Sequence, residues 1–230
     1  MSCVFITGTD TDAGKTLVGA AMLYQARQQG LSTLGIKPIS AGCERTPAGL
    51  RNSDALALQA QSAPACAYSI HNPLAYEPPI APHIAAREVG EELSLQRLNQ
   101  SLAASLAQPA QFTLIEGAGG WLLPLNDQET LAQWVEQQRW PVVLVVGLKL
   151  GCLNHALLTV QAITQAGLPI LGWVGSRVDP QMSRAEQNIQ SLQAMIEAPC
   201  LGVVPHLDNP SASEAAKYID INPLLWRNRG

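Results

Sequence analysis

Apolar residues gather along the chain in six short runs, Cys3–Thr7, Leu34–Ile39, Phe112–Ile115, Val142–Val146, Ile170–Val174 and Leu201–Val204. Segments of helical length separate most of them. A run that is apolar at nearly every position is buried on both faces, so the alternation predicts an α/β fold, a mostly parallel sheet with helices on both faces. Helix starts are readable. Gly14 opens the first helix after a glycine loop, Asn52 or Ser53 can cap a second, and Ser94 can cap Leu95–Leu106. Gly30 and Gly167 mark helix ends. Between Ala63 and His83 stand Pro64, Pro73, Pro78, Pro79 and Pro82. Proline lacks an N–H and fixes φ, so this stretch reads as a surface loop rather than an element. No internal repeat, heptad run or low-complexity tail interrupts the pattern.

Composition narrows the function. With 230 residues and 47% apolar content, the chain fits one domain over 1–230 that buries a sizeable core. Its net charge is −4 and its 14 Lys plus Arg are scattered, which leaves no basic stripe for nucleic acid or an anionic membrane. Small molecules are the expected partners. The opening MSCVFITGTD lacks a charged n-region and an extended apolar stretch, and no segment reaches the ~18 apolar residues of a spanning helix, so a soluble, cytoplasmic protein is expected. Five dispersed cysteines form no CxxC pair; they should be reduced and mostly buried rather than joined in a disulfide framework or zinc site.

The chemistry begins at Gly8–Thr16, where GTDTDAGKT matches GxxxxGK[ST] between an apolar run and a helical pattern. Glycines in such a loop let backbone N–H groups converge on phosphate oxygens at a helix N-terminus, whose dipole adds positive potential. Lys15 should reach the β- and γ-phosphates, and the Thr16 hydroxyl should bind Mg²⁺. Asp10 and Asp12 are unusual so close to phosphates; they either point outward or bind a cationic substrate.

Two further acids are placed to serve a metal. Mg²⁺ takes hard oxygen ligands and usually only one or two carboxylates besides phosphates and water. Glu116 follows the apolar run Phe112–Ile115 and precedes Gly117-Ala118-Gly119-Gly120, which sets it at the carboxyl edge of the sheet, where open α/β folds bind ligands. Asp54 sits in the first turn of a helix, where it is equally an ordinary dipole partner. Lys37 closes the run Leu34–Ile36 and would emerge at the same edge as Lys15, although a strand-end lysine is often merely solvated. Two ammonium groups beside a phosphate loop suggest a second anion, for which Gly117–Gly120 could supply N–H donors.

Taken together, GTDTDAGKT (8–16), GIKPISAG (35–42), RNSDALAL (51–58), APH (81–83), IEGAGG (115–120) and VVGLKLGCLNHALLT (145–159) resemble the dethiobiotin synthase family over nearly the whole chain. The resemblance implies an ATP- and Mg²⁺-dependent homodimer that converts 7,8-diaminononanoate and CO₂ to dethiobiotin in biotin biosynthesis. The implied route is carbamate formation, phosphorylation to a carbamic–phosphoric anhydride, then attack by the second amine with loss of phosphate. It makes Thr16, Asp54 and Glu116 the metal ligands, and Thr11, Lys15 and Lys37 the catalytic contacts to carbamate and phosphate. Nucleotide contacts fall on Asp12, Ala13, Gly14, Lys15, Thr16, Leu17, Glu116, Ser176, Pro205, His206 and Leu207. Substrate contacts fall on Thr11, Lys37, Ser40, Ala41 and Gly119, with Leu150, Gly151, Cys152 and Asn154 of a neighbouring subunit holding the terminal carboxylate at a helix N-terminus. Cys152, His155 and His83 read as packing or structural residues, and His71 and His206 have no partner at metal-ligand spacing.

Two departures from the family pattern bear on specificity. Ala41 stands where a hydroxyl is usual, with Ser40 beside it, and Ser176 stands where an Asn usually reads adenine; one hydroxyl cannot make that bidentate contact. A partition-type or carrier ATPase that works as a nucleotide-switched dimer is the rival reading. It would need a lysine early in the loop, where this chain has Thr9-Asp10-Thr11, and often carries a basic tail, whereas Ile219–Gly230 offers only Arg227 and Arg229. A corrinoid amidoligase would need a glutamine-hydrolysing domain for which there is no room.

Overall fold

A computed structural model describes residues 2–226; Arg227 and Arg229 lie outside them. In chain order the elements are β1 (Ser2–Gly8), α1 (Lys15–Gln28), β2 (Thr33–Ile36), β3 (Ile39–Ser40), β4 (Glu44–Thr46), β5 (Gly49–Arg51), α2 (Ser53–Ala60), α3 (Tyr68–His71), β6 (Leu74–Ala75), α4 (Pro82–Glu88), α5 (Leu95–Leu106), β7 (Phe112–Gly120), α6 (Leu131–Gln138), β8 (Val142–Gly147), α7 (Cys152–Gln165), β9 (Ile170–Ser176), α8 (Ala185–Met195), β10 (Cys200–Val204), α9 (Ala212–Ala216) and α10 (Asn222–Trp226).

All six expected strands form one sheet in the order β10-β9-β8-β1-β7-β2, and every neighbouring pair is parallel. β8 shows why: all six of its residues are buried, as a Val-rich strand covered on both faces must be. Successive side chains of a strand point to opposite faces. Accordingly Phe5 joins Ile36, Leu98 and Trp134 in one apolar cluster, while Val4 and Ile6 join Val18, Met22 and Leu114 in another. Helix ends follow the signals in the chain. The Asn52 side chain accepts the Ala55 N–H and Ser94 accepts the Arg97 N–H, while Thr130 and Gln133 form a reciprocal capping box on α6.

The run expected as one strand over Leu34–Ile39 is broken. β2 ends at Ile36, and beyond Lys37-Pro38 the chain turns so that Ile39–Ser40 pairs with Leu74–Ala75 in a separate two-stranded sheet. The segment 63–83, expected as a surface loop, contains α3 and β6 and begins α4. His71, Asn72, Leu74 and Tyr76 are buried in it. Pro64, Pro73, Pro78 and Pro79 stand outside these short elements and Pro82 opens α4, while intervening residues pair with the chain after β2: Lys37 N–H donates to His71 O, Asn72 Nδ2 to Lys37 O and Tyr76 N–H to Ser40 O. The stretch between Ala41 and Ser53 carries the antiparallel hairpin β4–β5. Of the five free cysteines, Cys43 and Cys152 are buried and Cys3, Cys66 and Cys200 half-buried. Among the described residues no helix is long and apolar enough to cross a membrane.

Candidate active site

The loop after β1 leaves the middle of the sheet, between β7 and β8. Gly14 adopts φ +92°, and a Cβ built there would stand 2.4 Å from the Ser176 hydroxyl, so only glycine fits this turn into α1. Asp12 also lies in the left-handed region, at φ 56°. These two bends bring the loop back over the start of α1. Gly19, one turn further on, lets that helix lie close to β7, since a Cβ there would meet Leu114 at 3.2 Å.

Below the loop is a buried charge cluster. Lys37 Nζ lies 2.6 Å from Glu116 Oε1 and 2.8 Å from Asp54 Oδ2, and donates at 3.3 Å to the Gly117 carbonyl. The Thr16 hydroxyl donates to the same Glu116 oxygen at 2.8 Å. Glu116 is 0% exposed and its other oxygen, Oε2, has no hydrogen-bond partner among the described residues. A buried carboxylate oxygen left bare is costly. Burial disfavours the Lys37 ammonium, but Glu116 and Asp54 outweigh burial and hold its pKa above the ordinary lysine value. Burial likewise works against the Asp54 carboxylate, and Lys37 more than reverses it, leaving that pKa low. Among the described residues Lys15 has no such counter-ion in contact. Its ammonium donates to the Asp10 carbonyl at 3.0 Å, and burial, then the charge of Lys37, pushes its pKa down.

A cavity of about 850 Å³ opens above this cluster. Its walls hold Thr11, Asp12, Gly14, Lys15, Thr16, Leu17, Lys37, Ser40, Ala41, Asp54 and Gly119 of the residues expected from sequence. Thr11 faces the second glycine loop, since a Cβ on Gly119 would lie 3.7 Å from its hydroxyl. Ala13 is buried instead against Gly147, and Ser176 is buried behind Gly14. Ser40 reaches the wall, but its hydroxyl donates to Asn72 Oδ1 at 2.7 Å within a buried network. Pro205, His206 and Leu207 follow β10 next to Arg177, whose N–H donates to Val204 O, and do not line the cavity. Leu150, Gly151 and Asn154 are exposed on the turn into α7, Leu150 at 93%, while the Cys152 side chain is buried in the core; none of the four lines the cavity.

Sequence reasoning missed Asn52, Pro79–Pro82, Leu123 and Pro210 in the walls, while Ala118 belongs to the glycine loop expected to supply N–H donors. The proline cluster was the available signal for the second of these, because rigid turns suit a cavity wall as well as a surface loop. Asp10 points away from the cavity and pairs with Lys149 at 2.8 Å. No group of three or more His, Cys, Asp or Glu suited to a metal occurs among the described residues. Mg²⁺ takes only one or two carboxylates beside phosphate oxygens and water. Asp54, Glu116 with its unpartnered oxygen, and the Thr16 hydroxyl are hard donors of the required kind.

A glycine loop at a helix N-terminus, with a lysine and a hydroxyl following it and a parallel sheet beneath, defines a phosphate-loop nucleotide-binding protein. The septum site-determining protein MinD of Pyrococcus horikoshii, solved in complex with Mg-ADP, shares the fold at a TM-score of 0.56 and 17% identity, over 93% of this chain and 86% of that one. The cell division protein FtsY of Thermotoga maritima gives a TM-score of 0.55 at 14% identity, over 97% of this chain and 68% of that one. A family model described as an AAA domain matches residues 2–214. The ATP-dependent dethiobiotin synthetase BioD of Cellvibrio japonicus is 59% identical over 221 residues, 96% of each chain. The synthetase of the same name from Pseudomonas paraeruginosa is 51% identical over 224 residues, 97% of this chain and 98% of that protein. The chain belongs to the ATP-dependent dethiobiotin synthetase family.

Proposed function

We propose that this chain is an ATP-dependent cyclo-ligase that closes the ring of dethiobiotin from 7,8-diaminononanoate and CO₂, in the cytoplasm. The observation that carries the reading is the convergence of Lys15, Lys37, Thr16 and Asp54 on one cavity under the phosphate loop, with Glu116 buried beneath it against Lys37 and Thr16. Family membership at 59% identity supports the choice of substrate.

The residues suit the chemistry in order. One amine of the substrate, in its neutral form, takes up CO₂ and releases a proton, giving a carbamate anion. Lys15 and Lys37 favour both the neutral amine and the anion, because a nearby ammonium disfavours a second cation and stabilises a negative charge. The carbamate oxygen then attacks the γ-phosphorus of ATP and ADP leaves; the loop and Lys15 hold the two anions in line. The second amine attacks the carbamoyl carbon of the resulting anhydride, phosphate departs with the bridging oxygen, and the ring closes. Thr16, Asp54 and Glu116 would hold a Mg²⁺ ion, which would supply positive charge to offset that of the reacting phosphate. Thr11 and Gly119 sit where hydroxyl and backbone N–H can contact the carbamate. Ser40 is turned to Asn72, so with Ala41 beside it the second-anion contact rests on the two lysines.

The functional unit we propose is a homodimer. Leu150 at 93% exposure and Leu158 at 57%, on the turn into α7 and on that helix, offer apolar surface for a second copy. In that unit Leu150, Gly151 and Asn154 would meet the substrate held by the partner. The purified chain should form dethiobiotin, seen by mass spectrometry, from the diamine, bicarbonate, Mg²⁺ and nucleotide. Supplying each of the four nucleoside triphosphates in turn reads out base preference, and no product with any of them would end the proposal.

A further inference from the structure

We infer that Lys149 is a positioning residue whose ammonium cancels the charge of Asp10, so that a phosphate loop containing a carboxylate can still receive a nucleotide. The inference rests on the nucleotide-binding reading above. Asp10 is placed to shape the loop: its Oδ1 accepts the Thr11 N–H at 2.8 Å, and its main-chain carbonyl accepts Lys15 Nζ at 3.0 Å. The carboxylate therefore caps one residue that lines the cavity while the backbone holds another. Left alone, its charge would oppose the phosphates the loop exists to bind, since like charges repel over the few ångströms of a partly desolvated site.

Lys149 removes that conflict from the far side. Its Nζ contacts Asp10 Oδ2 at 2.8 Å, and neither Asp10 nor Lys149 lines the cavity. The same strand end is tied to the loop a second time, where Gly147 N–H donates to Thr9 Oγ1 at 3.2 Å. The hydrogen bond from Lys149 is the chief influence holding the Asp10 carboxyl below its ordinary pKa. The pair is half-exposed, with side chains 39% and 46% accessible, so it adds little to stability. Its effect belongs on nucleotide affinity.

The test is a double-mutant cycle on the full chain, reading Mg-ATP affinity by calorimetry and KM and kcat by turnover. Lys149→Met should weaken ATP about tenfold and raise its KM with kcat nearly kept, because an uncancelled negative charge is then left in the phosphate loop. Asp10→Asn keeps an oxygen for the Thr11 N–H and should cost less than about threefold; the double variant should match it, since the charge to be cancelled is gone. Lys149→Arg should stay close to the original protein. ATP affinity unchanged in Lys149→Met, or weakened as much in the double variant as in the single one, overturns the inference while leaving the nucleotide reading intact. An unsubstituted chain that binds no nucleotide overturns both.

Discussion

Replacing Lys37 by alanine probes the centre of the site through stability rather than turnover. The change leaves Glu116, 0% exposed, and Asp54 facing each other across the space Nζ occupied, 2.6 and 2.8 Å from the two carboxylates. Removing one partner of a buried ion pair costs about 3–5 kcal/mol, because the remaining charge stays desolvated without compensation. The Asp54 side chain is 39% exposed and water screens it, so most of this cost falls on Glu116 and the lower half of that range applies. For a chain of this size each kcal/mol moves the melting temperature by about 2–4 °C, which predicts a fall of roughly 6–15 °C at neutral pH. A divalent cation should then replace the missing ammonium. Millimolar Mg²⁺ should raise the melting temperature of Lys37→Ala by more than it raises that of the original protein, an effect read by calorimetry or dye-monitored melting. A variant that melts within about 2 °C of its parent, or gains no more from Mg²⁺ than the parent does, would refute the assignment of the cluster as a cation site.

Other outcomes follow from the same geometry. Glu116→Ala should abolish dethiobiotin formation while leaving the chain folded, checked by product mass spectrometry beside circular dichroism; parental turnover would remove Glu116 from the mechanism. Burial and Lys37 depress the Lys15 pKa below 10.5, so ATP affinity should fall as pH rises from that depressed value towards 10.5, with proton uptake on binding. Calorimetry in two buffers of different ionisation enthalpy measures the uptake, and its absence at alkaline pH would count against Lys15 as the phosphate contact. The linkage with stability runs oppositely for the two lysines. Lys37, raised above 10.5, contributes stability in full below that pH and loses it as pH climbs through its folded value, whereas between the depressed Lys15 value and 10.5 the unfolded chain binds the Lys15 proton more than the folded one and stability rises with pH. Gly14→Ala should cost about 1–3 kcal/mol from the φ of +92° alone and should weaken nucleotide binding further through the Ser176 contact; unchanged melting and affinity would show that the loop tolerates a side chain there.

Much of this site was legible in the chain because its parts are local. A glycine loop between an apolar run and a helix carries its own conformational demands, and the structure confirms them at Gly14. The six strands were readable because burial on both faces leaves unbroken apolar runs. The segment 63–83 was not legible. Its prolines speak only for their own backbone, whereas the pairing of Leu74–Ala75 with Ile39–Ser40 joins residues some 35 positions apart. Nor could spacing show that Ser40 turns its hydroxyl to Asn72, or that Asp10, read as outward-pointing or substrate-binding, is held by Lys149.

The sequence by itself determined the α/β class, the phosphate loop and the identity of the charged residues at strand and helix ends, because periodicity and turn chemistry act over a few neighbouring positions. Only the tertiary structure decided which of those charges meet. Glu116 bonds both Lys37 and Thr16, from positions 79 and 100 residues away, because β7 lies between β1 and β2 in the sheet. That strand order, a long-range outcome of packing the whole chain, turns a set of scattered acids and lysines into one buried cluster.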